Sequence, residues 1–130
     1  MIQIIKLGVI HAGYKSLSKG VIPNTMKAFE HKFGSKSSRI IVGIAPFIRE
    51  CCYEVKEDLF DLIETSGWQP YLRSESGKFF LDLGAVTKSQ LTKIGVLSDK
   101  IEDLGICTSC RSDIFFSARK RQTEDESGSC

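Results

Sequence analysis

Ile2-Gln3-Ile4-Ile5-Lys6-Leu7-Gly8-Val9-Ile10 runs directly into His11-Ala12-Gly13-Tyr14, and a small, polar, glycine-containing stretch then leads into a helical pattern. β-Branched residues dominate the apolar run. It reads as a mostly buried strand over Ile2–Ile10, with Gly8 allowing close backbone approach. His11 then stands where a strand ends and a helix begins, the position at which α/β sheets present ligands and catalytic groups. Further on, Ile22, Met26, Phe29 and Phe33 fall at i, i+4, i+7 and i+11, which puts one apolar stripe on a helix that Gly34 stops. Ser16 or Ser18 is the expected cap. Pro23 requires either a late helix start or a local kink.

Ile40 to Ala45 is a short continuous apolar run closed by Pro46, as expected of a strand covered on both faces. A loop with Cys51 and Cys52 follows. Leu59, Leu62 and Ile63 mark an amphipathic helix, with Glu54, Glu57 and Asp58 at the favourable end of its dipole and Gly67 and Pro70 closing it. Phe79 to Leu83 reads as a strand, Val86 to Ile94 as a short helix and Ile101 to Ile106 as another strand. The alternation gives an α/β fold, a layered mixed sheet with flanking helices whose strand order stays open.

With 130 residues and 42% hydrophobic content, the chain has the size of one globular domain. Lys and Arg number 18 against 16 Asp and Glu, a balance that argues against nucleic acid as the main partner. The apolar N-terminal run is too short to span a bilayer and lacks the flanks of a secretion signal. A soluble, cytoplasmic protein without a membrane partner is expected. Five cysteines are an odd number and imply no small disulfide framework, which agrees with a reducing compartment.

Two groups of residues could carry chemistry. His11 has the position of a ligand, whereas His31 lies in a lysine-flanked polar stretch and reads as structural. Cys51 and Cys52 are vicinal and read as two reduced loop thiols packing under a helix. Cys107-Thr108-Ser109-Cys110 has the spacing of half a four-cysteine zinc site or of a redox dithiol. A structural zinc needs a second pair, and Cys51-Cys52 has the wrong spacing for it. A redox motif would open a long helix, whereas Phe115-Phe116 soon follows. Structural thiols are therefore the favoured reading.

His11-Ala12-Gly13-Tyr14, Cys51-Cys52-Tyr53-Glu54-Val55, Leu81-Asp82-Leu83, Cys107-Thr108 and Phe115-Phe116-Ser117-Ala118-Arg119 together resemble the laccase-domain family, in the family's order, from about residue 9 to about residue 120. Proteins of that family were first described as multicopper polyphenol oxidoreductases and are now read as zinc-dependent purine nucleoside phosphorylases that also deaminate adenosine. The peptidoglycan-editing factor belongs to it as well. The resemblance implies phosphorolysis of adenosine, inosine or methylthioadenosine, with purine nucleoside and phosphate as partners. Peptidoglycan-precursor editing and a non-catalytic fragment are the alternatives.

By the same resemblance His11 is a zinc ligand and the catalytic residue. Lys15, where the family usually has Arg, and Arg119 with Lys120 would hold phosphate, because an attacking dianion needs a cationic clamp. Tyr14, Cys51, Cys52, Cys107 and Thr108 would line the pocket. Copper follows only from the older label, since a multicopper site needs many histidines and the sequence has two. The family's other two zinc ligands, a His and a Cys, lie in a preceding half, and its final Thr-Gly-Arg strand is not recognisable after Arg121. The expectation is an incomplete, C-terminal portion of the family domain over residues 1–120, with a polar disordered tail over 121–130. Activity would then be impaired unless a complementary N-terminal chain is supplied, and self-association would follow from an exposed first strand.

Overall fold

Glycine sets both ends of the longest helix. Gly20, with φ 84°, precedes α2 (Val21–Phe33), and Gly34, with φ 67°, terminates it by donating its N–H to Glu30 O at 2.8 Å. Both sit in the left-handed region that a side chain disfavours. The serine-cap expectation is thereby corrected. Ser16 and Ser18 belong to a separate short helix, α1 (Tyr14–Ser18), and Gly20 makes the junction. Pro23 falls in the opening turn of α2, where its missing N–H has no intrahelical partner to lose. Of the predicted stripe, Ile22 and Met26 are buried and Phe29 packs edge-on against the more exposed Phe33, with ring centroids 5.4 Å apart.

The computed structural model describes residues 6–111, 113 and 114. Arg119, Lys120, the Phe115-Phe116 segment and the predicted tail lie outside these, as does the first half of the predicted opening strand. Within its second half, residues 6–10 form no strand. Leu7 and Val9 are 89% and 100% exposed, and among the described residues no strand pairs with residues 6–10. Gly8 does make the expected close approach, its backbone lying against the Phe29 ring.

Parallel and antiparallel pairing both occur, in two separate sheets. β1 (Val42–Ile44) runs parallel to β5 (Ile101–Asp103), with Val42 opposite Ile101 and Ile44 opposite Asp103. The run Ile40–Ala45 is thus a strand over only part of its length. It is not covered on both faces, since Ile41 is 77% exposed. The second sheet has the order β2-β4-β3: β2 (Glu54–Val55), β3 (Leu72–Glu75) and central β4 (Lys78–Leu81), all antiparallel. Ser76 and Gly77, with φ 51° and 77°, make the two-residue hairpin between β3 and β4. β2 and β3 have no counterpart among the sequence predictions.

α3 (Glu57–Ser66) packs beside this sheet and ends at Gly67, with Glu57 and Asp58 in its first turn. Glu54 lies in β2 instead. α4 (Leu83–Lys93) starts earlier than predicted because Asp82 caps it, its side chain accepting the Ala85 N–H at 3.0 Å. That cap also ends the strand expected to reach Leu83. The core lies between the antiparallel sheet and the helices: Leu17, Ile22, Tyr53, Val55, Ile63, Trp68, Leu81, Val86 and Leu91 are all buried. Among the described residues, no helix is long and apolar enough to cross a membrane.

Candidate functional site

His11 lies at one side of a groove of about 570 Å³ formed by the N-terminal segment, α2, β1 and the start of α4. Ile22, Met26, Phe29, Phe47 and Leu83 supply apolar walls, and Thr87 a hydroxyl. The backbone around His11 is fixed by Ser16, whose Oγ lies 3.2 Å from the His11 carbonyl oxygen and accepts the Gly13 N–H at 3.0 Å. Tyr14 and Lys15 follow on α1. The Lys15 ammonium sits 5.8 Å from the Tyr14 ring centroid, and both side chains retain access to solvent.

The three-ligand centre that the resemblance implies for His11 can be tested on its surroundings. Among the described residues, His11 belongs to no group of three or more His, Cys, Asp or Glu placed to hold a metal. A catalytic zinc takes three protein ligands plus an open position. The described residues do not build such a centre around His11.

The thiols assemble elsewhere. Beyond β1, Phe47 bridges to Cys107 in the parallel sense: Phe47 N–H donates to Ile106 O at 3.3 Å, and Thr108 N–H donates to Phe47 O at 3.1 Å. Just after Phe47 a tight turn carries Cys51 and Cys52, with Cys52 and Tyr53 N–H groups both donating to Arg49 O at 2.9 and 2.8 Å. The continued ladder therefore sets the vicinal pair beside the C-x-x-C. Cys51, Cys52, Cys107 and Cys110 have sulfurs all within 4.8 Å of one another. The two cysteine pairs, read from the sequence as separate, are thus neighbours in space.

Cys107 is buried, and Arg49 N–H donates to its sulfur at 3.4 Å. Burial raises the Cys107 pKa, but backbone N–H groups of Arg49, Cys110 and Ser109 directed at the sulfur outweigh it and bring the thiol below its ordinary value. Cys51 moves the opposite way. Burial pushes it up to about 12, with hydrogen bonding to Cys110 and Cys107 adding to the rise, although part of its surface stays open to solvent. Cys51 and Cys107 are free thiols, and Cys52 is disulfide-bonded.

Arg49 was not singled out by sequence reading, yet it links the two places. Its guanidinium stacks 4.2 Å from the Phe47 ring centroid, and Phe47 also lines the His11 groove. The same guanidinium forms a two-pronged pair with Asp103, one bond of 2.8 Å running from Nη1 to Oδ2. Lys88 Nζ lies 3.1 Å from Asp103 as well. The Arg49 hydrogen bond, helped by the Gly105 N–H and Lys88, holds the Asp103 carboxyl well below the usual carboxylate range despite burial. The sequence signal was Arg49 immediately before Glu50-Cys51-Cys52. Its partner was hidden in a strand.

The sequence profile of the family described as multi-copper polyphenol oxidoreductase laccase matches residues 4–130. The chain belongs to that family. It is 30% identical over 118 residues to a purine nucleoside phosphorylase of Bacteroides thetaiotaomicron, covering 88% of this chain and 44% of that protein. With purine nucleoside phosphorylase LACC1 of Homo sapiens it shares 29% identity over 114 residues, which are 85% of this chain and 26% of that one. Among solved structures, YlmD of Geobacillus stearothermophilus superposes with a TM-score of 0.75 at 29% identity, covering 86% of this chain and 43% of YlmD. The chain thus spans less than half the length of these relatives.

Proposed function

We propose that this chain forms part of a purine nucleoside phosphorylase, taking a purine nucleoside and inorganic phosphate. The observation that carries the reading is the apolar groove with His11 at its side, on a chain related over 88% of its length to a protein named purine nucleoside phosphorylase. Flat walls such as Phe29 and Phe47 suit a purine ring, and pockets of this size suit a nucleoside. In phosphorolysis a phosphate oxygen bonds to the anomeric carbon while the glycosidic C–N bond breaks. The base leaves with the electron pair and takes up a proton.

Lys15, and Arg119 beyond the described residues, are proposed to hold phosphate; Tyr14, Lys15 and Thr108 stand outside the lining of the groove itself and are proposed to act from its margin. Lys keeps the charge of the family's usual Arg but loses its planar two-pronged grip, so phosphate binding through Lys15 is weaker than a fork would give. His11 is proposed as a ligand of the family's zinc, whose remaining ligands come from residues outside the described set. Adenosine deamination, methylthioadenosine as a substrate and a cytoplasmic location belong to the same proposal, as does a polar tail over residues 121–130.

Partners follow from the open side of the fold. Leu7, Val9 and Ile41 are exposed, and β1 has β5 as its partner among the described residues. Such an edge is suited to a complementary N-terminal segment of the family, or failing that to a second copy. The test is phosphate-dependent release of free base from adenosine or inosine, measured on the purified chain with and without a family N-terminal half. The expected result is base release only in the mixture, abolished by His11→Ala. Base release by the chain alone would overturn the shared-site reading, and a mixture acting only on peptidoglycan precursors would overturn the substrate.

A further inference from the structure

The Cys51, Cys52, Cys107 and Cys110 cluster has the geometry of a site rather than of four packing thiols. Neighbouring sulfurs stand 3.6 Å apart for Cys51 and Cys52, 3.5 Å for Cys51 and Cys110, and 3.3 Å for Cys52 and Cys110. Four sulfurs at about 2.3 Å from a tetrahedral zinc lie about 3.8 Å from one another. The observed separations, all below 4.8 Å, bracket that edge.

The sulfurs are also presented as ligands are. Two segments far apart in sequence each give a pair, and both are pinned by backbone bonds to the same parallel ladder at Phe47 and Cys107. Three backbone N–H groups, of Arg49, Ser109 and Cys110, point at the Cys107 sulfur. Outer-sphere donors of this kind orient a thiolate and stabilise its charge. Hydrophobic packing does not explain the arrangement, since Cys51 and Cys110 are exposed.

We propose that the fully reduced chain binds one zinc ion through Cys51, Cys52, Cys107 and Cys110, a structural site separate from the His11 groove. Zinc replaces four thiol protons, which pass to solvent, and leaves a complex of net charge −2. A site with four protein ligands is closed, so its role is to tie the turn after β1 to the segment after β5. Those two segments carry Phe47 and Arg49 on one side and Thr108 on the other, so the metal would brace one wall of the groove. Cys52 is disulfide-bonded in this structure, so the site forms in the chain once that bond has been reduced by two electrons and two protons.

The experiment uses the full chain reduced with a water-soluble phosphine: the disulfide takes two electrons from phosphorus and becomes two thiols, and one water supplies the oxygen of the phosphine oxide and the two thiol protons. Zn2+ is then titrated against a chromogenic chelator, and Co2+ is added to a second sample. The expected result is one zinc per chain, and a Co2+ spectrum with sulfur-to-metal charge-transfer bands and the intense visible bands of a tetrahedral centre. Cys107→Ser and Cys110→Ser should each weaken binding by about 100-fold or more, whereas His11→Ala leaves it unchanged. The Co2+ spectrum of the unaltered chain keeps the test valid if a variant fails to fold. No stoichiometric zinc in the reduced chain, a Co2+ spectrum without sulfur bands, or binding lost with His11→Ala but kept with Cys107→Ser would overturn the proposal. Phosphorolysis by the mixture described above bears on the groove alone, so the two readings fail separately.

Discussion

The antiparallel-sheet side of the molecule and the His11 side are built from equally apolar sequence and reach opposite ends. Leu81, at the end of central β4, is 1% exposed, and Trp68, Val86 and Val55 of the same core cluster are buried with it. Leu7 and Val9, in a run at least as hydrophobic, are almost wholly exposed. Local apolar pattern decides whether a segment seeks burial. Whether it finds burial depends on elements to pair with. β4 has a strand on each side, whereas residues 6–10 have none among the described residues.

The largest expected effect follows from that contrast. Leu81→Ala should cost about 3 kcal/mol in denaturant unfolding, because the central strand cannot collapse around the lost side chain. Leu7→Ala should cost less than about 0.5 kcal/mol. Equal losses would erase the distinction between the two sides.

Asp103→Asn comes next, at about 2 kcal/mol, because it leaves a largely buried guanidinium with a weakened partner. Pairing lowers the folded-state pKa of Asp103, so its contribution is complete above the ordinary unfolded value of about 3.9 and is lost as pH falls toward the lower folded value. Stability of the variant and the natural chain should therefore converge on acidification below about pH 4. A gap that widens on acidification would contradict this origin.

Gly84→Ala is a finer probe of the wall between the two sides. A Cβ there would stand 2.8 Å from Phe47 Cζ and 3.3 Å from Asp82 Oδ1. The Phe47 ring must tilt toward the groove or away from Arg49, at a cost of about 1 kcal/mol. Thermal unfolding measures the cost, and an unchanged melting temperature would show that the ring is not held. The smallest effect on stability, with the clearest effect on association, belongs to the triple change Leu7→Ser, Val9→Ser and Ile41→Ser. Sedimentation at increasing concentration should show self-association in the natural chain and less of it in the variant.

How much of this was legible in the sequence depends on the range of the interaction. Gly34 and Gly67 as helix stops, Pro23 in an opening turn and the β4-to-α4 order are local, and local chemistry shows them. β2 and β3 escaped because two- and four-residue strands carry too little alternation, although Ser76-Gly77 is a hairpin signal. The first strand was read from its composition; over residues 6–10, its described part, no strand forms because no described strand stands beside it. His11 was found from its place at the end of an apolar run. The thiol cluster and the Arg49–Asp103 pair were not, because the parallel pairing of β1 with β5 that assembles them leaves no mark at either segment alone.

Hydrogen–deuterium exchange on the purified chain tests the central contrast most directly, because it reads every backbone amide for whether a stable partner exists. Amides of β4 and α4, residues 78–93, should exchange only through global unfolding, whereas residues 6–13 should exchange within the shortest labelling time and become protected when a family N-terminal half is added. Protection of residues 6–13 equal to that of β4 in the chain alone would contradict the account of an open His11 side completed from elsewhere.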